Sequence, residues 1–268
     1  VKIFASITAY NEEMFLDYVL SCIHDYVDHI CVIDGAMANV VENGAPPHSI
    51  DNTPNIVKNW ANKSKKIFYV RPEEPPQTFM ELGGYGLNLA KELKCDWYFP
   101  CGVDEIYPKN SIVPMRPFLK NCMKNDIMGV NVNMKAFAPD FWHWYDFYVP
   151  RFGRITPDCY MPFKSNDVLY WPEINGWQSN DSNAPLHVKK LNIDYPRIFQ
   201  VFHYTCVGKK RIKFLYDFYK TYSDNAGADH YERYIQEDWF YFKQKCKEFK
   251  GKHPEIMRNH PLYNERLY

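Results

Sequence analysis

Four short apolar runs, Ile3–Ala9, 29–33, Ile67–Val70 and 97–99, recur along the first part of the chain, with a helix-like segment between each and the next. Strands joined through helices rather than tight turns must pair in parallel, because a parallel pair needs a crossover that returns to the same edge. The order strand, helix, strand, helix, strand, helix, strand therefore predicts a parallel sheet covered on both faces. In the first crossover, Phe15, Tyr18, Val19, Cys22 and Tyr26 recur at helical spacing. Asn11 is placed to cap that helix, and Glu12 and Glu13 suit the positive end of its dipole. Residues 39–54, rich in Pro, Asn and Gly, read as a long loop before a helix at about 55–62. Residues 71–77 read as an extended loop, and Leu82, Gly86, Leu89, Ala90 and Leu93 mark the third helix. The fold class expected is α/β, with a mostly parallel sheet flanked by helices.

Past Pro108 the rhythm changes. Val130, Val132 and Met134 alternate as in a half-buried strand, and 167–171 and 186–193 read as further strands among Pro- and Asn-rich loops. Two helices close the chain, at about 209–222 and 228–249. No composition break marks a linker, so residues 1–268 read as one domain. Within it, 1–110 form an α/β half, 111–204 a β-rich portion and 205–268 the C-terminal helices.

Composition removes several function classes. Lys plus Arg and Asp plus Glu balance at 32 each, so no electrostatic footprint for nucleic acid is present. The eight cysteines show no CxxC spacing and sit in apolar surroundings. Reduced core thiols in a cytoplasmic compartment are the expectation, rather than a disulfide framework or a zinc site. No apolar segment approaches the roughly 18 residues of a membrane span. Lys209-Lys210-Arg211 reads as the solvated start of a helix. Aromatic residues make up 17% of the chain and crowd from Phe137 to Phe152. Most suit a core, and an aromatic excess beside a polar crevice also suits carbohydrate.

The chemistry-bearing residues fall just after strand ends, where open α/β sheets bind ligands. Thr8-Ala9-Tyr10-Asn11-Glu12-Glu13 follows the first strand, Asp34-Gly35 the second, and Gly102-Val103-Asp104-Glu105 the fourth. Two adjacent carboxylates at such an edge suit a hard cation or a ribose hydroxyl. In order and spacing these motifs resemble those of the GT-A (Rossmann-like) glycosyltransferases, in particular the inverting family 2, over residues 1–108. The resemblance implies that Thr8, Ala9, Tyr10, Asn11, Glu12, Asp34, Gly84, Val103 and Asp104 bind a nucleotide-sugar, most readily a UDP-sugar. It implies Mn2+ or Mg2+ on Asp104, with Glu105 beside it and His203 as a further ligand, offsetting charge on the diphosphate leaving group. Gly102 stands where the family's motif carries its first acid, and Gly83-Gly84 where an Arg-Asn pair is common.

Inverting transfer needs a carboxylate to take the proton of the acceptor hydroxyl. Stepping about 100° per residue from Tyr231, with Ile235, Phe242 and Phe249, puts Asp238 within the apolar stripe of the last helix and Glu237 to one side. Gln236-Glu237-Asp238-Trp239 also resembles the family's Glu-Asp motif, which supplies the base. Glu173 and Asp181 are alternative bases. Arg151, Arg154 and Lys209 are candidates for acceptor or phosphate contact, and Lys209, Lys210 and Arg211, by default a solvated helix start, could also help neutralise the diphosphate. The implied reaction moves a sugar to a hydroxyl of a carbohydrate or glycoconjugate. A nucleotidyltransferase would want a basic, Gly-rich loop after the first strand, where this chain is acidic. A non-catalytic carbohydrate-binding relative would fit the aromatic segment and Gly102.

Overall fold

The computed structural model describes residues 1–161, 169–171, 176–177, 192–194, 200–222, 231–232 and 245–266. In chain order its elements begin with β1 (Ile3–Ala9), α1 (Leu16–Ile23), β2 (His29–Asp34), α2 (Ala38–Glu42), α3 (Thr53–Lys63) and β3 (Ile67–Val70). There follow α4 (Phe79–Glu92), β4 (Trp97–Pro100), β5 (Glu105–Ile106), α5 (Lys109–Ile112) and α6 (Met115–Lys124). The strands β6 (Gly129–Phe137), β7 (His143–Arg154), β8 (Tyr170–Trp171), β9 (Gly176–Trp177), β10 (Asn192–Asp194) and β11 (Gln200–His203) come next. Helix α7 (Lys209–Tyr222), strand β12 (Lys247–Glu248) and a 3-10 turn at Glu255–Asn259 complete the described chain.

The main sheet runs β3-β2-β1-β4-β7-β6-β11-β5, with β10 added beside β6 and β12 beside β7. Its first four strands are parallel, as the sequence predicts. Beyond β4 the sheet is mixed, since β7 is antiparallel to both β4 and β6 while β11 is parallel to β6. Side chains alternate across the pleat of β1. Ile3, Ala5 and Ile7 face one layer with Phe15, Leu16 and Val19, whereas Phe4 packs with Leu82, Leu87 and Ala90 of α4 on the other. Each of the large buried side chains among these contributes about 1.5–3 kcal/mol. Helix α4 approaches β1 closely because Gly86 leaves room for Ser6: a Cβ on Gly86 would lie 2.3 Å from the Ser6 hydroxyl.

Several expectations are corrected. Helix α1 starts at Leu16 rather than near Asn11, and Asn11 does not cap it. The amides of Asn11, Glu12 and Glu13 instead donate to Ser49, Thr53 and Asp51. The expected loop at 39–54 contains most of the short helix α2. Helix α4 begins at Phe79, because Thr78 caps it by accepting from the Glu81 amide at 3.1 Å, while the Glu81 carboxylate accepts from the Gln77 amide at 2.7 Å. The aromatic segment is mainly strand β7, hairpinned onto β6, and Pro150 is tolerated there because a bulge falls opposite it at Val130/Asn131. The last helix cannot reach Phe249, since Lys247 and Glu248 pair with β7 as a strand. Most of that predicted helix lies outside the described residues. No helix among the described residues is long and apolar enough to cross a membrane.

Candidate functional site at the strand ends

Three strand ends of the parallel half converge on one cavity of about 280 Å³. Thr8 and Ala9 at the end of β1, Tyr10 and Glu12 just after it, Gly35 after β2, and Val103 and Asp104 after β4 all line it. Helix α7 covers it with Leu215, Phe218 and Tyr219. The wall is largely apolar and aromatic, and the Tyr10 and Phe218 rings meet at 5.6 Å. The two carboxylates, Glu12 and Asp104, supply the charge at this lining.

The turn after β1 is held by a loop from the second crossover. Asn11 adopts a left-handed backbone (φ 57°), which an Asn tolerates better than most residues. Its side-chain oxygen accepts from the Ile50 amide at 2.9 Å, and its own amide donates to the Ser49 hydroxyl at 2.8 Å. Asp34 anchors the same loop. Its carboxylate accepts from the Ser49 amide (2.9 Å) and the Tyr69 hydroxyl (2.7 Å), and pairs with Arg71 at 3.2 Å. Asn11 and Asp34 thus brace the cavity wall, and the adjacent Gly35 lines it.

Asp104 and Glu105, adjacent in sequence, meet opposite environments. Glu105 is 1% exposed and enters β5, opposite His203 of β11. There Arg151 donates to both its oxygens, from Nε at 3.0 Å each, and the Tyr107 hydroxyl donates to Oε2 at 2.8 Å. Arg151, expected to contact acceptor or phosphate, is the internal partner of Glu105. Gly102 makes this arrangement possible, since a Cβ there would fall 2.6 Å from Glu105 Oε1. An acid at position 102 is therefore incompatible with a buried Glu105. Gly102→Ala is expected to destabilise the protein by about 1–3 kcal/mol in urea unfolding, because Arg151 leaves the Glu105 side chain no freedom to shift. An unchanged midpoint would mean that Glu105 can leave its pocket.

Asp104 points the other way, toward β11 and α7. The Thr205 hydroxyl donates to its Oδ2 at 2.7 Å, Arg211 Nη2 donates to the same oxygen at 3.2 Å, and His203 Nε2 lies 3.3 Å from Oδ1. Burial by itself would raise the Asp104 carboxyl, but His203, Arg211 and Thr205 together hold its pKa well below the usual carboxylate range. Burial works against a charged His203, yet the Asp104 carboxylate outweighs it and raises the imidazole pKa. Arg211, 4% exposed, also donates to Glu12 through Nη1 at 2.8 Å and to the Thr205 carbonyl through Nε at 3.0 Å. Burial raises the Glu12 carboxyl, and Arg211 offsets that only in part.

The sequence reading placed Arg211 on a solvated helix start, and the structure corrects this: it is the buried hub of the cluster. Its helical register with Leu215 and Tyr219, both turned to the cavity, is a signal the chain does carry. Thr205 carries no comparable signal, since only the β5–β11 pairing brings it to Asp104. Gly84 faces a separate groove of about 460 Å³ with Glu74, Glu81 and Tyr85. Arg154, the last residue of β7, lies opposite Trp97 at the start of β4 and 3.8 Å from Asp126, at the end of the strands away from the cavity. Lys209 is exposed at the start of α7, where its amide donates to Glu265. Asp238, Glu237, Glu173 and Asp181 lie outside the described residues.

The side chains described do not fit a divalent cation as they stand. No group of three or more His, Cys, Asp or Glu among the described residues is placed to hold one. Glu105 is sealed against Arg151, and a guanidinium lies between the carboxylates of Asp104 and Glu12.

No protein-family model and no curated protein matches the chain. Among solved structures it is similar to S. aureus TarS, at 12% identity over 90% of this chain and 44% of that one, with a TM-score of 0.45. A structure of TarS 1-349 aligns at 15% identity over 52% of this chain and 37% of that one, with a TM-score of 0.40. The chain is also similar to 4-diphosphocytidyl-2C-methyl-D-erythritolsynthase from Anaerococcus prevotii, at 15% identity over 57% of this chain and 70% of that one (TM-score 0.35). It spans less than half the length of either TarS structure.

Proposed function

We propose that this chain is a glycosyltransferase that takes a nucleotide-sugar into the cavity at its strand ends and moves the sugar to a hydroxyl of a carbohydrate or glycoconjugate. The observation that supports this most is the convergence of Thr8, Ala9, Tyr10, Glu12, Gly35, Val103 and Asp104, drawn from three separate strand ends, on one aromatic-walled cavity. A cavity of this size is near the lower end of small-molecule sites, about 300–1,000 Å³, and takes a nucleoside portion. Tyr10 and Phe218 offer π-faces to a base.

In the reaction proposed, a carboxylate takes the proton of the acceptor hydroxyl as its oxygen bonds to the anomeric carbon. The bond from that carbon to the diphosphate breaks on the opposite face, giving inversion and a free nucleoside diphosphate. Asp238, with Glu237 beside it, is the proposed base. UDP-sugars are the first donors to test.

Calorimetric titration with UDP and UDP-sugars is expected to give saturable binding. Phe218→Ala, a half-buried position on α7, is expected to weaken it about tenfold or more, the loss of one stacking face. Product analysis separates the alternatives. Release of UDP supports transfer, pyrophosphate exchange points to a nucleotidyltransferase, and affinity for free glycans without any nucleotide points to a binding module. Absence of binding across a nucleotide panel would sink the proposal.

A further inference from the structure

We propose that Arg211 occupies a latent divalent-cation site, so that this cavity works with nucleotide ligands without a metal ion, the guanidinium standing between the carboxylates that would otherwise call for one. The nucleotide arm of this inference rests on the function proposed above; the metal arm stands on geometry alone. Arg211 bridges Glu12 and Asp104 with separate nitrogens, at 2.8 and 3.2 Å. Its third donor, Nε, is taken by the Thr205 carbonyl, and its carbon centre lies 4.8 Å from the Phe15 ring centroid. The group, carried on the first turn of α7, is therefore fixed from outside that helix by hydrogen bonds at its edge and by an aromatic face.

The charge balance has the same sense as the geometry. The two carboxylates share one guanidinium, whose fixed charge and donors already serve both. A divalent ion entering between Glu12 and Asp104 would meet a guanidinium that cannot lose its proton to make room. It would have to displace a planar, bridging donor that already satisfies both acids. Take the guanidinium away and the carboxylates of Glu12 and Asp104, which it bridges, are left facing one another. Two carboxylates are hard oxygen donors of the kind that suit Mn2+. Arg211 thus keeps a metal site closed, where a shorter neutral side chain would open it.

The experiment titrates Mn2+ alone into wild-type protein and Arg211→Gln, following free Mn2+ by its paramagnetic resonance signal. In parallel, UDP is titrated calorimetrically with Mn2+ and with EDTA. The expected result is no saturable Mn2+ uptake by the wild type and UDP affinity unchanged by EDTA. Arg211→Gln is expected to bind one Mn2+ at least about tenfold more tightly, as removal of a neighbouring positive charge requires. Arg211→Lys, which keeps a cation there, is expected to stay closed. Stoichiometric Mn2+ binding by the wild type, UDP binding that needs Mn2+, or a folded Arg211→Gln that gains no Mn2+ affinity would each overturn the inference. UDP failing to bind under any condition overturns the nucleotide reading instead and leaves the metal arm to be read separately. If Arg211→Gln does not fold, as judged by circular dichroism, the wild-type Mn2+ and EDTA arms decide.

Discussion

Replacing Arg151 with Met is expected to destabilise the protein by about 3–5 kcal/mol, the loss typical of breaking a buried ion pair from one side. Glu105 is 1% exposed and is held by Arg151 and Tyr107 in the interior, where no water replaces the guanidinium. Met matches the length of Arg but leaves the carboxylate with the Tyr107 hydroxyl alone. It must then become protonated or draw water into the core. The paired change Arg151→Met with Glu105→Gln removes the stranded charge and is expected to recover most of the loss. Urea unfolding of both single variants and the double variant closes the cycle. A cost below about 1 kcal/mol for Arg151→Met is what a solvated pair gives, and it would contradict the buried placement of Glu105.

Stability is expected to fall steeply as pH drops from about 6.5 to about 4, because two histidines are buried in neutral form. Burial lowers His253 and His260 each to about 4, and backbone hydrogen bonds to Phe141 and Met14 oppose this only in part. Around His253 stand the rings of Phe137, Phe141, Phe202 and Phe249. Its Nε2 donates to the Phe141 carbonyl at 2.6 Å, so its Nδ1 accepts from the Tyr204 hydroxyl at 2.8 Å. Below pH 6.5 the unfolded chain takes up protons at both positions while the native state refuses them until about pH 4. Folding therefore loses free energy throughout that window and no further below it, by roughly 3 kcal/mol per histidine. Together that is comparable with the whole stability of a typical domain.

His253→Gln is expected to remove about half of the slope of unfolding free energy against pH between 6.5 and 4. A slope equal to that of the wild type would mean that His253 is solvated. Two other groups act outside this window. Asp104, with its lowered pKa, stabilises above about pH 4 and loses that contribution as pH falls toward its folded value. His203, with its raised pKa, stabilises fully below about pH 6.5 and loses its contribution as pH rises through the folded value.

The two sets of residues differ in how far local pattern reaches. Strands β1 and β3 follow their predicted bounds, β2 and β4 run one residue longer, and α7 matches 209–222. Each is specified by its own apolar periodicity, and its neighbours in the parallel half are successive in the chain apart from β4. Where pattern misled, a distant partner decided. The amides of residues 11–13 were taken by the Ser49–Thr53 loop, so the turn stayed open and α1 began later. Lys247 and Glu248 were drawn out of a helical pattern by pairing with β7.

The same division runs through the site. Local sequence was enough to bring Thr8, Ala9, Tyr10, Glu12, Val103 and Asp104 to one sheet edge, because each ends or follows a strand of the parallel half and the carboxyl ends of parallel strands lie together. It does not separate Asp104 from Glu105, two acids in one turn. Antiparallel pairing of β5 with β11 does: it turns Glu105 inward to Arg151 and leaves Asp104 facing Thr205, His203 and Arg211, about a hundred residues away in sequence. A carboxylate's state depends on which cations share its low-dielectric surroundings, and those partners arrive only when the sheet closes.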